Sequence, residues 1–204
     1  MKLVGMLDSP YVRRVAIALD LYGVDFEQQS LSVFSTFAEF ATINPVVKAP
    51  TLVLDDGTVL MDSSLILDYF ESLAPADKKL LPQTAAARAR DLHVIGLALA
   101  ACDKSVQIYY EHNLRPQEKL HTPWLERVTG QLQAAYARLD GLLAEQPTKC
   151  PSLPLSQAEI TTAVAWSFTQ YVCAEVVAAS DYAHVQRLAQ KIEGHPAMLK
   201  YPIE

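Results

Sequence analysis

Apolar residues follow two rhythms along this chain, and the rhythm changes near residue 80. In the first part, short apolar runs alternate with amphipathic stretches. Residues 2–7 form an apolar run of strand length, stopped by Asp8-Ser9-Pro10. Val12, Val15, Ala16 and Leu19 then recur at i, i+3, i+4, i+7, which predicts a helix with Gly23 as its stop. Residues 24–31 predict a second strand despite the polar Glu27-Gln28-Gln29. Residues 34–43 predict a short helix ended by Asn44-Pro45. Residues 51–54 and 58–61 flank Asp55-Asp56-Gly57, a hairpin signal. Residues 64–73 predict a helix with Leu65, Ile66, Tyr69, Phe70 and Leu73 on one face.

The resulting order is βαβ, then α, then ββα. A βαβ start requires a crossover and a parallel strand pair, while the hairpin adds an antiparallel edge. Helices would cover both faces of a small mixed sheet, which resembles the thioredoxin-like arrangement. Residues 75–83 read as a charged, proline-bounded linker. Beyond it the pattern is helical only: residues 85–112, then 123–145 with Leu125, Val128, Leu132, Ala135, Leu139 and Leu142 in register. Residues 148–155 predict a proline-broken loop. Ser156-Gln157-Ala158-Glu159 fits a capping box opening a helix that runs to about Ala178. Tyr182, Val185, Leu188, Ala189 and Ile192 predict one more, closed by Gly194-His195-Pro196. The expected organisation is an α/β thioredoxin-like domain over 1–76, a linker over 77–83 and an all-α domain over 84–204.

Composition narrows the function classes. The 204 residues carry a net charge of −6, and no basic run exceeds the pairs Arg13-Arg14 and Lys78-Lys79. A nucleic-acid partner would need a concentrated basic surface. The apolar stretches fall short of the ~20 residues that span a bilayer, so no membrane partner is expected. The N-terminal run meets Asp8 too soon for an export segment. Cys102, Cys150 and Cys173 form an odd set without metal-site spacing, which points away from disulfides and metal and toward a reducing, cytoplasmic setting.

Three short motifs in the first half, in order and spacing, resemble the cytosolic glutathione transferases, particularly the compact bacterial type. They are Ser9-Pro10-Tyr11-Val12-Arg13-Arg14-Val15, then residues 44–53 around Lys48-Ala49-Pro50, and Asp62-Ser63-Ser64-Leu65-Ile66. The Leu155–Ile160 segment and His195-Pro196 extend the likeness into the helical half. Taken alone, Ser9-Pro10 is an ordinary helix cap with proline at the first helical position, and Asp62-Ser63 is another cap.

The resemblance implies more. Ser9 would donate a hydrogen bond to the sulfur of glutathione at the positive end of a helix, with Tyr11 as the alternative hydroxyl. Serine has no sulfur for thiol–disulfide exchange, so conjugation or addition–elimination is favoured over redox turnover. Pro50 would be cis, presenting the backbone of Ala49 to the cysteinyl part, with Lys48 reaching the glycyl carboxylate. Val47 stands where the family often has glycine. Asp62 would pair with the γ-glutamyl ammonium, and Ser63 would hold the α-carboxylate. Tyr11, Tyr109, Tyr110, Glu111 and Arg115 would contribute to the second-substrate site, and Asp103 would approach a partner's glutathione or remain an exposed helix carboxylate. Glutathione is the expected co-substrate, a small electrophile the expected second substrate, and a homodimer the expected assembly. A non-catalytic glutathione or ligand carrier and a glutathione-dependent reductase or peroxidase are the alternatives.

Overall fold

Four short strands, β1 (Lys2–Val4), β2 (Glu27–Gln29), β3 (Thr51–Val53) and β4 (Val59–Met61), form one mixed sheet in the order β2-β1-β3-β4. The computed structural model describes residues 1–145 and 155–203. β1 runs parallel to β2 with Lys2 opposite Glu27, and antiparallel to β3 with Leu3 opposite Leu52. β3 and β4 form the hairpin, where Gly57 takes φ 86° and Thr58 N donates to Asp56 Oδ1 at 2.9 Å. A left-handed φ of this kind favours glycine, which is why the DG pair marks the turn.

The parallel β1–β2 pair is bridged by helix α1 (Pro10–Tyr22). Ser9 caps it, Pro10 opens it, and Gly23 ends it at φ 77° with its N–H on Asp20 O and Leu19 O. The predicted stripe Val12, Val15, Ala16 and Leu19 is fully buried, but so are Arg13 and Arg14. Their guanidinium groups are held by the protein: Arg13 Nε donates to Tyr201 O at 2.7 Å, and Arg14 reaches Ser63 and Ser64. Helix α2 (Phe37–Ile43) seats Phe40 against Val4 and Leu31.

Helix α3 (Ser63–Leu73) corrects the expected single apolar face. Ile66, Leu67 and Phe70 are buried, whereas Leu65 is 66 % and Leu73 63 % exposed, with Tyr69 at 40 %. Leu65, Tyr69 and Leu73 lie at i, i+4, i+8, a stripe rotated about 100° from the one facing the sheet. After α3 the chain forms a 3-10 turn over Ala76–Lys78. Glu71, only 3 % exposed, holds this segment down: it accepts from Tyr22 OH at 2.9 Å, Leu80 N at 3.0 Å and Leu81 N at 3.2 Å.

The chain groups into two compact units, Met1–Leu81 with Gly194–Glu204, and Pro82–Glu193. The C-terminal segment, with the short helix α8 (Pro196–Leu199), belongs with the first unit; the sequence pattern had placed a stop there and no helix. His195 Nδ1 caps α8 by accepting from Ala197 N at 3.2 Å. Lys200 pairs with Asp20 on α1.

The second unit packs α4 (Ala85–Asn113), α5 (Thr122–Glu145), α6 (Gln157–Cys173) and α7 (Ala183–Glu193). Small residues on α4, notably Ala98, Ala101, Cys102 and Ser105, are buried. Ser105 Oγ lies 2.8 Å from Thr169 Oγ1 on α6, and Tyr136 OH on α5 donates to Ala165 O at 3.0 Å. Tyr136, Trp166 and Tyr182 form an aromatic cluster with centroids 5.2–6.2 Å apart. The capping box closes as read from the sequence, with Ser156 N on Glu159 Oε2 at 2.8 Å and Glu159 N on Ser156 Oγ at 3.2 Å. Helix α6 stops at Cys173, short of the expected Ala178, where a turn forms with Val176 N on Cys173 O. Asp140 on α5 caps α7 across the fold, accepting from His184 N at 2.8 Å and Val185 N at 3.0 Å. Cys102 and Cys173 are buried, and burial pushes the Cys173 thiol up to about 11. Cys150 and most of the expected 148–155 loop lie outside the described residues.

Candidate functional site

Three chain segments in the first unit meet through specific contacts, and they carry the residues that the motif resemblance assigns to a tripeptide ligand. The first is the start of α1. Ser9 sits at its N-cap, accepting from Val12 N at a long 3.4 Å, so its own hydroxyl proton remains available to an acceptor. Tyr11 follows in the first turn, half-buried. The second is the loop before β3, where the Ala49–Pro50 peptide is cis. The third is the start of α3, where Asp62 is the N-cap, with Oδ1 accepting from Ser64 N at 2.9 Å, and Ser63 is the first helical residue.

Gly5 lets the first two segments approach. A Cβ on Gly5 would lie 2.6 Å from Val12 Cγ2 and 3.1 Å from Ala49 Cβ, and the residue has φ +138°. Arg14 ties the first segment to the third, donating to Ser63 Oγ at 3.2 Å and Ser64 Oγ at 3.4 Å. Lys48 ties the second to the third: its Nζ lies 3.8 Å from Asp62 Oδ2, with both side chains about half-exposed.

The loop itself is shaped by Asn44, a residue that sequence reading treated as a helix stop. Its Nδ2 donates to Thr51 Oγ1 at 2.8 Å, its Oδ1 accepts from Val46 N at 3.0 Å, and Thr51 Oγ1 donates to Lys48 O at 2.7 Å. Val47 adopts φ 51° and Asp62 φ 70°. Left-handed backbone is rare for a β-branched residue such as Val47.

In the second unit, the end of α4 and the start of α5 enclose a hollow of about 670 Å³. Tyr110, Leu114, Pro116 and Trp124 form its apolar wall; Gln107, Glu111, Arg115 and Lys119 supply the polar groups. Thus Tyr110, Glu111 and Arg115 come together, while Tyr109 is outside the lining, its carbonyl accepting from Asn113. Arg115 grips Glu111 with Nε 2.7 Å from Oε2 and Nη2 2.9 Å from Oε1. Gln107, Lys119 and Trp124 carried no motif in the sequence and join the site only through folding. Asp103 is half-exposed and engaged by Gln107 Nε2 at 2.9 Å and Lys104 Nζ at 3.0 Å. No cluster of three or more His, Cys, Asp or Glu among the described residues is placed to hold a metal.

Comparison with known proteins places this chain in a family. Residues 3–78 match the family profile "Glutathione S-transferase, N-terminal domain". A crystal structure of a glutathione transferase family member from Pseudomonas fluorescens Pf-5, with bound S-(propanoic acid)-glutathione, is 30 % identical, with 98 % of each chain covered and a TM-score of 0.81. The maleylacetoacetate isomerase of Pseudomonas aeruginosa is 31 % identical over 155 residues, 69 % of this chain and 70 % of that one. The uncharacterized GST-like protein YibF of Escherichia coli K12 is 29 % identical, covering 81 % of each. The chain belongs to the cytosolic glutathione transferase family.

Proposed function

We propose that this protein holds glutathione on its first unit and transfers the tripeptide's sulfur, as a thiolate, to a small and largely apolar electrophile. The observation that carries the reading is the contact among three segments bearing Ser9, Lys48-Ala49-Pro50 and Asp62-Ser63, through close packing at Gly5, the Arg14–Ser63 hydrogen bond and the Lys48–Asp62 pair. The glutathione bound in the Pseudomonas fluorescens relative supports it.

In this reading Ser9 donates to the sulfur while the α1 N–H groups favour its negative charge. A free thiol of pKa ~8.5 is only about 3 % ionised at pH 7, and lowering it by ~2 units takes about 2.7 kcal/mol. One charge-assisted hydrogen bond contributes ~1.5–3 kcal/mol, so the hydroxyl and helix end together are sufficient. Tyr11 is the second candidate donor. Ala49 pairs its backbone with the cysteinyl residue, beside Pro50. Lys48 takes the glycyl carboxylate, Asp62 the ammonium, and Ser63 the α-carboxylate. The half-exposed Lys48–Asp62 pair contributes under ~1 kcal/mol, so a ligand bringing its own ammonium and carboxylate displaces it at small cost. In the second unit, Tyr110, Glu111 and Arg115, which line one hollow, are read as holding the electrophile.

The isomerase among the relatives favours a second reading, in which the thiolate adds to an activated double bond and leaves again after rotation. Conjugation consumes glutathione; isomerisation returns it. The exposed apolar stripe Leu65, Tyr69 and Leu73, with Val59 and Met61 beside it in sequence on β4, supports a homodimer. We read the setting as cytoplasmic, and the role as detoxification.

Titration calorimetry with glutathione, followed by thiolate absorbance of the complex, tests the proposal. Binding with an ionised thiol at neutral pH is expected. Binding with an unshifted thiol would make the protein a carrier, and no binding would end the reading. Turnover of mixed disulfides or hydroperoxides above that of aryl halides would make it a reductase or peroxidase.

A further inference from the structure

The hollow between α4 and α5 has a definite charge pattern. Its apolar wall is unusually open for large side chains: Tyr110 is 39 %, Trp124 40 % and Leu114 54 % exposed. Aromatic and aliphatic groups gathered around one concavity call for an apolar occupant. The volume of about 670 Å³ suits a small molecule.

The polar groups select among such molecules. Glu111, whose side chain is 12 % exposed, is neutralised by the two-point grip of Arg115. Gln107 already spends its amide on Asp103 and receives Lys104. Lys119 is exposed at the rim and has no ion-pair partner among the described residues. The lining therefore carries one uncompensated positive charge, on a chain whose net charge is −6. Arg115 donates from Nη2 to Glu111 Oε1 and holds Nε at ion-pair distance from Oε2, and a guanidinium has five N–H donors, so N–H groups remain for a second carboxylate. A cationic occupant would meet Lys119 with no free carboxylate to oppose it.

We infer that this hollow takes an amphipathic anion: a planar apolar body against Tyr110 and Trp124, and a carboxylate at Lys119 and the outer face of Arg115. Lys119 and Trp124 are specificity residues for it. Resting on the function proposed above, the consequence is that the preferred electrophile carries a carboxylate.

The pair 2-naphthoate and 2-naphthamide, alike in shape and different in charge, separates the terms when titrated against the full chain without glutathione, with tryptophan fluorescence as the readout. Naphthoate is expected to bind roughly tenfold tighter, the effect of one charge-assisted bond. Lys119→Glu should erase that preference while changing naphthamide affinity less than twofold, and Trp124→Phe should abolish most of the quenching. Equal affinities, a preference that survives Lys119→Glu, or quenching that survives Trp124→Phe would each overturn the inference. The substrates 4-chloro-3-nitrobenzoate and 4-chloro-3-nitrobenzamide then test the consequence by kcat/KM. Turnover without a preference for the benzoate sinks the inference and leaves the transferase reading standing. Naphthoate binding that depends on Lys119, with no turnover and no glutathione binding, sinks the transferase reading and leaves the anion site.

Discussion

Arg14 Nη1 donates to Ser63 Oγ at 3.2 Å, and both residues are only 3 % exposed. A buried cation on the first helix thereby fixes a hydroxyl at the start of the third. The hydroxyl accepts from Arg14 and keeps its own proton, which in the proposed function goes to the α-carboxylate of glutathione. Ser63→Ala should raise the KM for glutathione about tenfold while kcat falls much less, because the lost contact is the same in ground and transition states. Ser63→Thr should recover part of the affinity. Steady-state kinetics over a range of glutathione concentrations checks both.

Ser9→Ala should show the opposite split. The hydroxyl is proposed to act on the sulfur's charge, so kcat at neutral pH should drop ~10–100-fold with little change in glutathione binding. The apparent pKa of the bound thiol should climb toward its free value, and activity should return as pH rises through ~8.5–9. Thiolate absorbance against pH reads this directly. A wild-type kcat at pH 7 would hand the role to Tyr11.

Gly5→Ala should destabilise the first unit by about 2–3 kcal/mol, since the new Cβ would meet Val12 at 2.6 Å in a backbone of φ +138°. The expected fall in Tm is roughly 5–10 °C. Gly57→Ala is the control: φ is +86° but nothing lies within 4 Å, so only backbone strain of ~1 kcal/mol remains. Similar Tm losses for the two would show that close packing of Gly5 against Val12 and Ala49 is unimportant.

Asp91 on α4 has its carboxyl raised above the ordinary 3.8, first by burial and then by the charge of Glu159. A raised acid is ionised less readily in the folded state, so its contribution is full where it is protonated and is lost as pH rises through 3.8 to the folded value. Asp91→Asn should therefore raise Tm at pH 7, and the gain should vanish as pH falls below ~3.5. A gain that persists unchanged in acid would assign it to packing instead.

The apolar stripe on α3 predicts the assembly. Leu65→Glu with Leu73→Glu should shift a wild-type dimer to monomer in sedimentation equilibrium, leaving helical circular dichroism unchanged, because both side chains are more than 60 % exposed. A monomeric wild type would remove the homodimer proposal.

Much of this molecule is legible from local chemistry. The cap at Ser9, the stop at Gly23, the hairpin at Gly57 and the capping box at Ser156 each depend on a few adjacent residues, and each formed where its chemistry placed it. The three segments proposed to hold glutathione stand out in the sequence by short motifs for the same reason. Partners distant in sequence were not legible. In the sequence Arg13 and Arg14 are only a short basic pair, and nothing local announces that both are buried, with Tyr201 and Ser63 bringing acceptors from far along the chain. On α3, the pattern did not separate the stripe facing the sheet from the stripe facing outward, since both are apolar.

Helix and turn boundaries, with the residue types at their ends, follow from interactions spanning three or four positions, and these are written in the order of amino acids. Which side chains meet across the fold follows from packing instead. Asn44 on Thr51, Asp140 on the start of α7, and Lys119 and Trp124 around one hollow all depend on how whole elements are stacked to bury their apolar faces. No local pattern encodes such encounters, because their energy comes from excluding water over surfaces contributed by many residues at once.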